Sequence, residues 1–122
     1  MQKMAIDLNL LEWGGSGIER YTFEVICSLV APGSHILELG SGKISTAAFS
    51  TQLKVTSIDD NENYIGLFPD VNYIHAPLVD GWYDVQILKQ KIPGDYDIIF
   101  VDAPCGSGNR MGFLHNFYEK CA

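Results

Sequence analysis

Apolar positions along this chain recur with two different periods. Ile18, Tyr21, Val25, Ile26 and Leu29 follow helical spacing, and Ser16-Gly17-Ile18-Glu19 has the form of a capping box. The pattern predicts a helix starting there, with those five residues facing the core, and Ala31-Pro32-Gly33 ending it. After this point short apolar runs alternate with helical stretches. Strands are expected at about 34–39, 54–58, 72–76 and 96–101. Helices are expected at about 45–52, 62–67, 83–91 and 110–120. The run Lys54-Val55-Thr56-Ser57-Ile58 is rich in β-branched residues, and Tyr96-Asp97-Ile98-Ile99-Phe100-Val101 is apolar enough to be buried on both faces. Residues 1–15 read as an irregular lead-in, and the glycines after Trp13 suit a lid or an ordinary turn. Strands that alternate with helices argue for an α/β fold, a parallel sheet with right-handed crossovers and helices on both faces. No repeat or composition shift marks a second domain within 1–122.

Ligands of such sheets bind beyond the carboxyl ends of the strands, so the residues just after each strand are the ones to inspect. After the first come Glu38, Gly40, Ser41 and Gly42. A glycine turns the chain where a side chain would clash, and a second lets a ligand approach the backbone. A phosphate loop of the form G-x-x-x-x-G-K-[ST] is excluded, because Leu37 stands at its first glycine and Ile44 at its hydroxyl position. The dinucleotide fingerprint G-x-G-x-x-G/A is met by Gly40 and Gly42 but has Ser45 at its third position. After the second strand comes Asp59, 19 residues beyond Gly40 (59 − 40), near the spacing at which an acid meets a ribose diol. A carboxylate suits that place because it accepts from two vicinal hydroxyls. Asp60, beside it, is the better candidate to cap the next short helix.

Composition narrows the function classes. The chain has 122 residues, 47% hydrophobic and 19% charged, which fits one small globular core. A formal net charge of −7 argues against a long nucleic-acid footprint. Apolar runs are too short for a membrane span, and the first residues lack a signal peptide's basic and apolar regions. Cys27, Cys105 and Cys121 form no C-x-x-C pair, so neither a zinc site nor a disulfide framework is expected, and a cytoplasmic setting follows.

The stretch Glu38-Leu39-Gly40-Ser41-Gly42-Lys43-Ile44 resembles motif I of the class I S-adenosylmethionine-dependent methyltransferases, E/D-x-G-x-G-x-G, with Ile44 departing at the last glycine. Asp59 and the run Asp97-Ile98-Ile99-Phe100-Val101-Asp102 follow in that family's order, so that residues 34–117 resemble its cofactor half. The stretches from Tyr73 to Leu78, Gly81 to Asp84 and Arg110 to Leu114 are similar to a group of small bacterial members of unassigned substrate. The resemblance implies a Rossmann-like sheet in the order 3-2-1-4, with S-adenosylmethionine as cofactor. It implies that Glu38 helps hold the methionine amino group, that Gly40, Ser41 and Gly42 pass under the cofactor, and that Asp59 binds the ribose. His75 and Ala76 would contact adenine, His75 accepting from the adenine amino group only when neutral. Asp102 would orient the methyl acceptor or act as base.

The loop after the fourth strand, Asp102-Ala103-Pro104-Cys105, is similar to two motifs. One is the D/N-P-P-Y of amino-group methyltransferases, broken at Ala103 and Cys105. The other is the D-A-P-C-S-G of RNA 5-methylcytosine methyltransferases, a family whose motif I ending and later cysteine-bearing strand are missing here. Cys105 itself reads as a small residue in a turn. The family's sheet has seven strands and this chain offers four, so the expectation is a fragment, a homodimer through the exposed edge of the fourth strand, or a binding-only remnant. The methyl acceptor is a small molecule or of unknown class. A non-catalytic nucleotide-binding or oligomerisation module is the alternative, and a nicotinamide-dependent oxidoreductase a further one. The expected site places Glu38, Gly40, Gly42 and Asp59 along one cleft, with Asp59 exposed beside the ribose.

Overall fold

The structure, a computed structural model, describes residues 6–14, 18–79, 81–92 and 94–102. In chain order it holds α1 (Arg20–Ser28), β1 (His35–Leu39), α2 (Ser45–Ser50), β2 (Lys54–Asp59), β3 (Asn72–His75), β4 (Leu78–Val79), β5 (Trp82–Tyr83), α3 (Val85–Lys91) and β6 (Ile98–Val101). Short 3-10 turns lie at Leu8–Leu10 and Glu62–Tyr64. Four strands form a parallel sheet in the order β3-β2-β1-β6. This is the 3-2-1-4 order expected, with β6 as the fourth strand, and it gives the described residues a Rossmann-like α/β fold.

The alternation of side chains along β1 divides the core in two. Leu37 and Leu39 pack with Ile58, Ile74, Trp82, Tyr83, Leu88 and Ile92 on the α3 side of the sheet. Ile36 packs with Phe23, Ala48, Phe49 and Val55 on the side of α1 and α2. Every residue of β1 is buried, as a central strand covered on both faces must be. The rings of Phe23 and Phe49 stand 5.8 Å apart, and Trp13 closes on Phe23 at 5.4 Å.

Several elements differ from the sequence expectation. Helix α1 starts at Arg20 behind Glu19, which makes no side-chain cap bond, and Ser16 and Gly17 lie outside the described residues. Its inward stripe is Phe23, Ile26, Cys27 and Val30, while Tyr21 (76% exposed), Val25 (40%) and Leu29 (67%) face outward. The helix carries two apolar stripes, and spacing alone does not say which one the sheet takes. The sheet takes the one bearing Phe23, whose ring packs against Phe49. The helix expected at 83–91 gives up Tyr83, which pairs with Leu78 in the antiparallel β4–β5 ribbon. Asp84 then caps α3, accepting from the Gln86 N–H at 3.0 Å.

The expected helix at 62–67 is only a 3-10 turn, capped by Asn61 rather than Asp60 and followed by Gly66 at φ +80°. Helix α2 is shorter than expected, β2 runs on to include Asp59, and β3 stops at His75. The fourth sheet strand begins at Ile98 rather than 96, because the Asp97 carboxylate turns back to accept from the His35 N–H at 2.8 Å. Its four residues are half-buried, not buried on both faces, since β6 is the outer strand among the described residues. The helix expected at 110–120 and the loop 103–108 lie outside the described residues.

At the amino-terminal end of the sheet a line of hydrogen bonds crosses the strands. The Asn72 amide donates to the Thr56 hydroxyl at 3.3 Å, and that hydroxyl meets His35 Nε2 at 2.7 Å. His35 Nδ1 then donates to the Asp95 carbonyl at 2.7 Å. A carbonyl only accepts, so Nδ1 carries a proton toward Asp95.

Candidate functional site

At the opposite, carboxyl end of the sheet, β1 runs into the glycine turn. Gly40 has φ +105°, a backbone conformation that side-chain-bearing residues rarely adopt, and its N–H donates to the Ile58 carbonyl at 2.7 Å. The next two N–H groups are also taken. Ser41 N–H donates to Asp59 Oδ2 and Gly42 N–H donates to Thr46 Oγ1, both at 2.9 Å. The turn is therefore tied to the end of β2 on one side and to α2 on the other.

Asp59 braces two backbones at once. Its Oδ2 accepts from Ser41 and its Oδ1 from the Asn61 N–H at 2.8 Å. The residue is only 7% exposed, which corrects the expectation of an exposed carboxylate. Burial pushes its pKa above the ordinary carboxylate value, and the N–H bonds from Asn61 and Ser41 oppose that shift. The expected adjacency itself is present: Asp59 and the Gly40–Gly42 turn stand together at the ends of adjacent strands.

Glu38 does not line a cleft with them. It is wholly buried beneath the turn, on the α2 side of β1. Ser45 Oγ donates to its Oε2 at 2.6 Å, while Thr46 Oγ1 and Ser57 Oγ both donate to Oε1, the latter at 2.7 Å. Ser57 spends its proton on Glu38, so the Ser41 hydroxyl, 2.5 Å away, donates to Ser57. Burial lifts the Glu38 pKa from 4.5 to about 7; the hydroxyls of Ser45, Thr46 and Ser57 pull it down, and the charge of Asp102 adds to the rise. No cation is paired with it among the described residues.

No protein-family model, curated protein or solved structure matches the chain.

The remaining expected positions lie around the same sheet end. His75 ends β3, and its Nε2–H donates to the Asp60 carbonyl at 2.9 Å, which leaves Nδ1 as the ring's acceptor when neutral. Ala76 is buried, with its N–H on the Asp59 carbonyl at 3.0 Å. Asp102 is exposed just past β6, held through its N–H to the Leu39 carbonyl at 2.9 Å. Cys105 lies outside the described residues, and no group of three potential metal ligands occurs among the described ones.

Ser45, Thr46, Ser57 and Asn61 escaped the sequence reading. A signal for the first three existed. A buried acid needs donors, and the turn, α2 and β2 that follow Glu38 hold the hydroxyls of Ser41, Ser45, Thr46, Thr56 and Ser57. What spacing does not show is that Glu38 would be buried.

Proposed function

We propose that the chain binds S-adenosylmethionine at the carboxyl ends of β1 and β2 and is the cofactor-binding part of a methyltransferase. One observation carries this reading. The glycine turn after β1 is joined to the acid ending β2 by a 2.9 Å hydrogen bond, at the ligand-binding end of a 3-2-1-4 parallel sheet. The residues fit a nucleoside. Each oxygen of Asp59 accepts one N–H and keeps a lone pair for a ribose hydroxyl. At Gly42 a Cβ would stand 3.1 Å from Ser45 Oγ, tighter than an ordinary contact, so a glycine suits this close approach of the turn to α2. His75 Nδ1 is the acceptor offered on the adenine side.

The cofactor, when bound, supplies a methyl group on a positively charged sulfur. The chain's own part is to hold and orient. Asp59 and the Gly40 turn fix the nucleoside end, and Asp102, exposed at the end of the neighbouring strand, orients the acceptor or takes its proton. Glu38 acts through the turn that it anchors rather than by touching the amino group. The half-buried apolar strand β6 supports association, with a second copy at that edge completing the sheet. A cytoplasmic setting goes with a chain whose described cysteine, Cys27, is free. No helix among the described residues is long and apolar enough to cross a membrane.

Calorimetric titration with S-adenosylhomocysteine and NAD, side by side, tests the reading. Binding of the first and not the second is expected. Binding of NAD alone moves the chain to the oxidoreductases, and binding of neither removes the cofactor site.

A further inference from the structure

The molecule has two tryptophans, and their indole N–H groups are placed differently. Trp13 Nε1–H donates to the Leu8 carbonyl at 2.9 Å. Trp82 is buried in the α3-side core, 3% exposed, and its Nε1–H is closed off from solvent with no hydrogen-bond partner among the described residues. An indole nitrogen only donates, and a donor buried without an acceptor is costly and rare. Packing does not ask for it, since a phenylalanine ring offers a flat apolar surface without the N–H. The orphaned donor marks a place where an acceptor comes from outside the chain.

The position of Trp82 shows which end of a ligand would bring that acceptor. After β3 the chain passes Ala76 and Pro77 into the β4–β5 ribbon, which forms a sheet of its own. The Asp84 N–H donates to the Pro77 carbonyl at 2.8 Å and closes the ribbon there, at the carboxyl end of the parallel sheet. Trp82 shares its core cluster with Leu39, Ile58 and Ala76, which stand at or beside the carboxyl ends of β1, β2 and β3.

We propose that the β4–β5 ribbon is a flap on the nucleoside site, and that Trp82 Nε1–H donates to a ring nitrogen of a purine base. The inference rests on the reading that a nucleoside binds at the ends of β1 and β2. With the ribose on Asp59 and the glycine turn on its β1 side, the base lies on the β3 side, where the chain enters the ribbon. A purine such as adenine carries ring nitrogens that accept and an amino group that donates. His75 Nδ1 offers the acceptor at the end of β3, and Trp82 supplies the complementary donor.

The ribbon is built to give way. It has two residue pairs, Leu78 with Tyr83 and Val79 with Trp82, and its turn passes through Gly81 at φ +81°. So short a ladder has little stability of its own. The rings of Trp82 and Tyr83, edge to face at 5.2 Å, hold it to the core, while Leu78 and Val79 are exposed on its outer side. The N–H is covered in the free chain, so the base reaches it as the ribbon shifts outward.

NMR of the ¹⁵N-labelled full chain reads both indole N–H groups, with Trp13→Phe assigning them. S-adenosylhomocysteine should shift the Trp82 resonance and leave that of Trp13 in place. By calorimetry, Trp82→Phe should bind this probe ~10-fold more weakly. Its 1-, 3- and 7-deaza forms each lack one ring nitrogen. One of them should bind the parent chain ~10-fold more weakly than the probe itself, and should bind Trp82→Phe no more weakly than the probe does. If the probe binds and all three deaza forms bind equally well, the cofactor reading stands and the donor fails. If the probe does not bind but NAD, which carries the same base, shifts the Trp82 resonance, the cofactor reading fails and the donor stands. If neither ligand binds, both fall. Cross-relaxation from the Trp82 N–H to a long-lived water in the free and the bound chain alike would make water its partner and overturn the inference. Should Trp82→Phe not fold, the deaza series on the parent chain decides alone.

Discussion

Replacing Asp59 by alanine tests what that carboxylate does before any ligand is considered. Its two oxygens accept from Ser41 and Asn61 at 2.9 and 2.8 Å. Hydrogen bonds to a charged acceptor contribute about 1.5–3 kcal/mol each, and the larger loss is where the donor is left without water. Asn61 is exposed and its N–H finds solvent, whereas Ser41 is half-buried in the turn. The Ser41 bond therefore dominates. Removing the charge returns part of the loss, because burial disfavours the ionised form here. The net expectation is about 2 kcal/mol of destabilisation for Asp59→Ala. Asp59→Asn keeps one acceptor oxygen for Ser41 without the charge, so about 1 kcal/mol is expected. For a chain of 122 residues these correspond to Tm decreases of roughly 8 and 4 °C. Urea unfolding followed by circular dichroism gives both values without a cofactor. An Asp59→Ala midpoint equal to that of the parent would refute the brace, and would return the residue to the exposed, ligand-only role read from spacing.

Stability should also depend on pH through Glu38, with a definite sign. Its folded pKa of about 7 lies above the 4.5 of an open chain, so the folded state holds the proton more tightly. This contribution is complete below pH 4.5 and is lost as pH rises to 7, about 3 kcal/mol in all; urea midpoints across that range should fall in the parent and stay level in Glu38→Gln. In α1, Phe23→Ala should cost about 3–5 kcal/mol, while Leu29→Ala should stay within about 0.5 kcal/mol. Comparable losses from the two in thermal melts would contradict the assigned inner face. Gly40→Ala, forced to φ +105°, should lose about 1–3 kcal/mol, read from the same melts.

Much of the sheet was legible in the sequence because burial on both faces leaves a strong mark. Runs such as Val55-Thr56-Ser57-Ile58 between glycine, proline and polar breaks have few other readings, and strand ends show where a ligand site can form. The inner face of α1 was not legible, since Tyr21, Val25 and Leu29 make as good a stripe as Phe23, Ile26 and Val30. Nor was the β4–β5 ribbon, whose two-residue strands are too short to show a period. At the site, the proximity of Asp59 to the glycine turn followed from strand ends and spacing. The depth of Asp59 and Glu38 did not, because depth depends on how α2 and the chain after β2 close over them.

The line of hydrogen bonds from Asn72 through Thr56 and His35 to Asp95 bears on how the molecule is assembled. Each group in that line is satisfied only when its neighbour on the next strand is at the right height. A parallel strand displaced by one residue would turn Thr56 to the other face and leave the His35 ring, 4% exposed, with a buried nitrogen and no partner. Misaligned sheets are thus penalised at the amino-terminal end, far from the glycine turn. Selection for correct alignment and selection for ligand chemistry act on separate residues. The turn, Asp59 and the Glu38 hydroxyls are free to change with the ligand without loosening the check that aligns the strands.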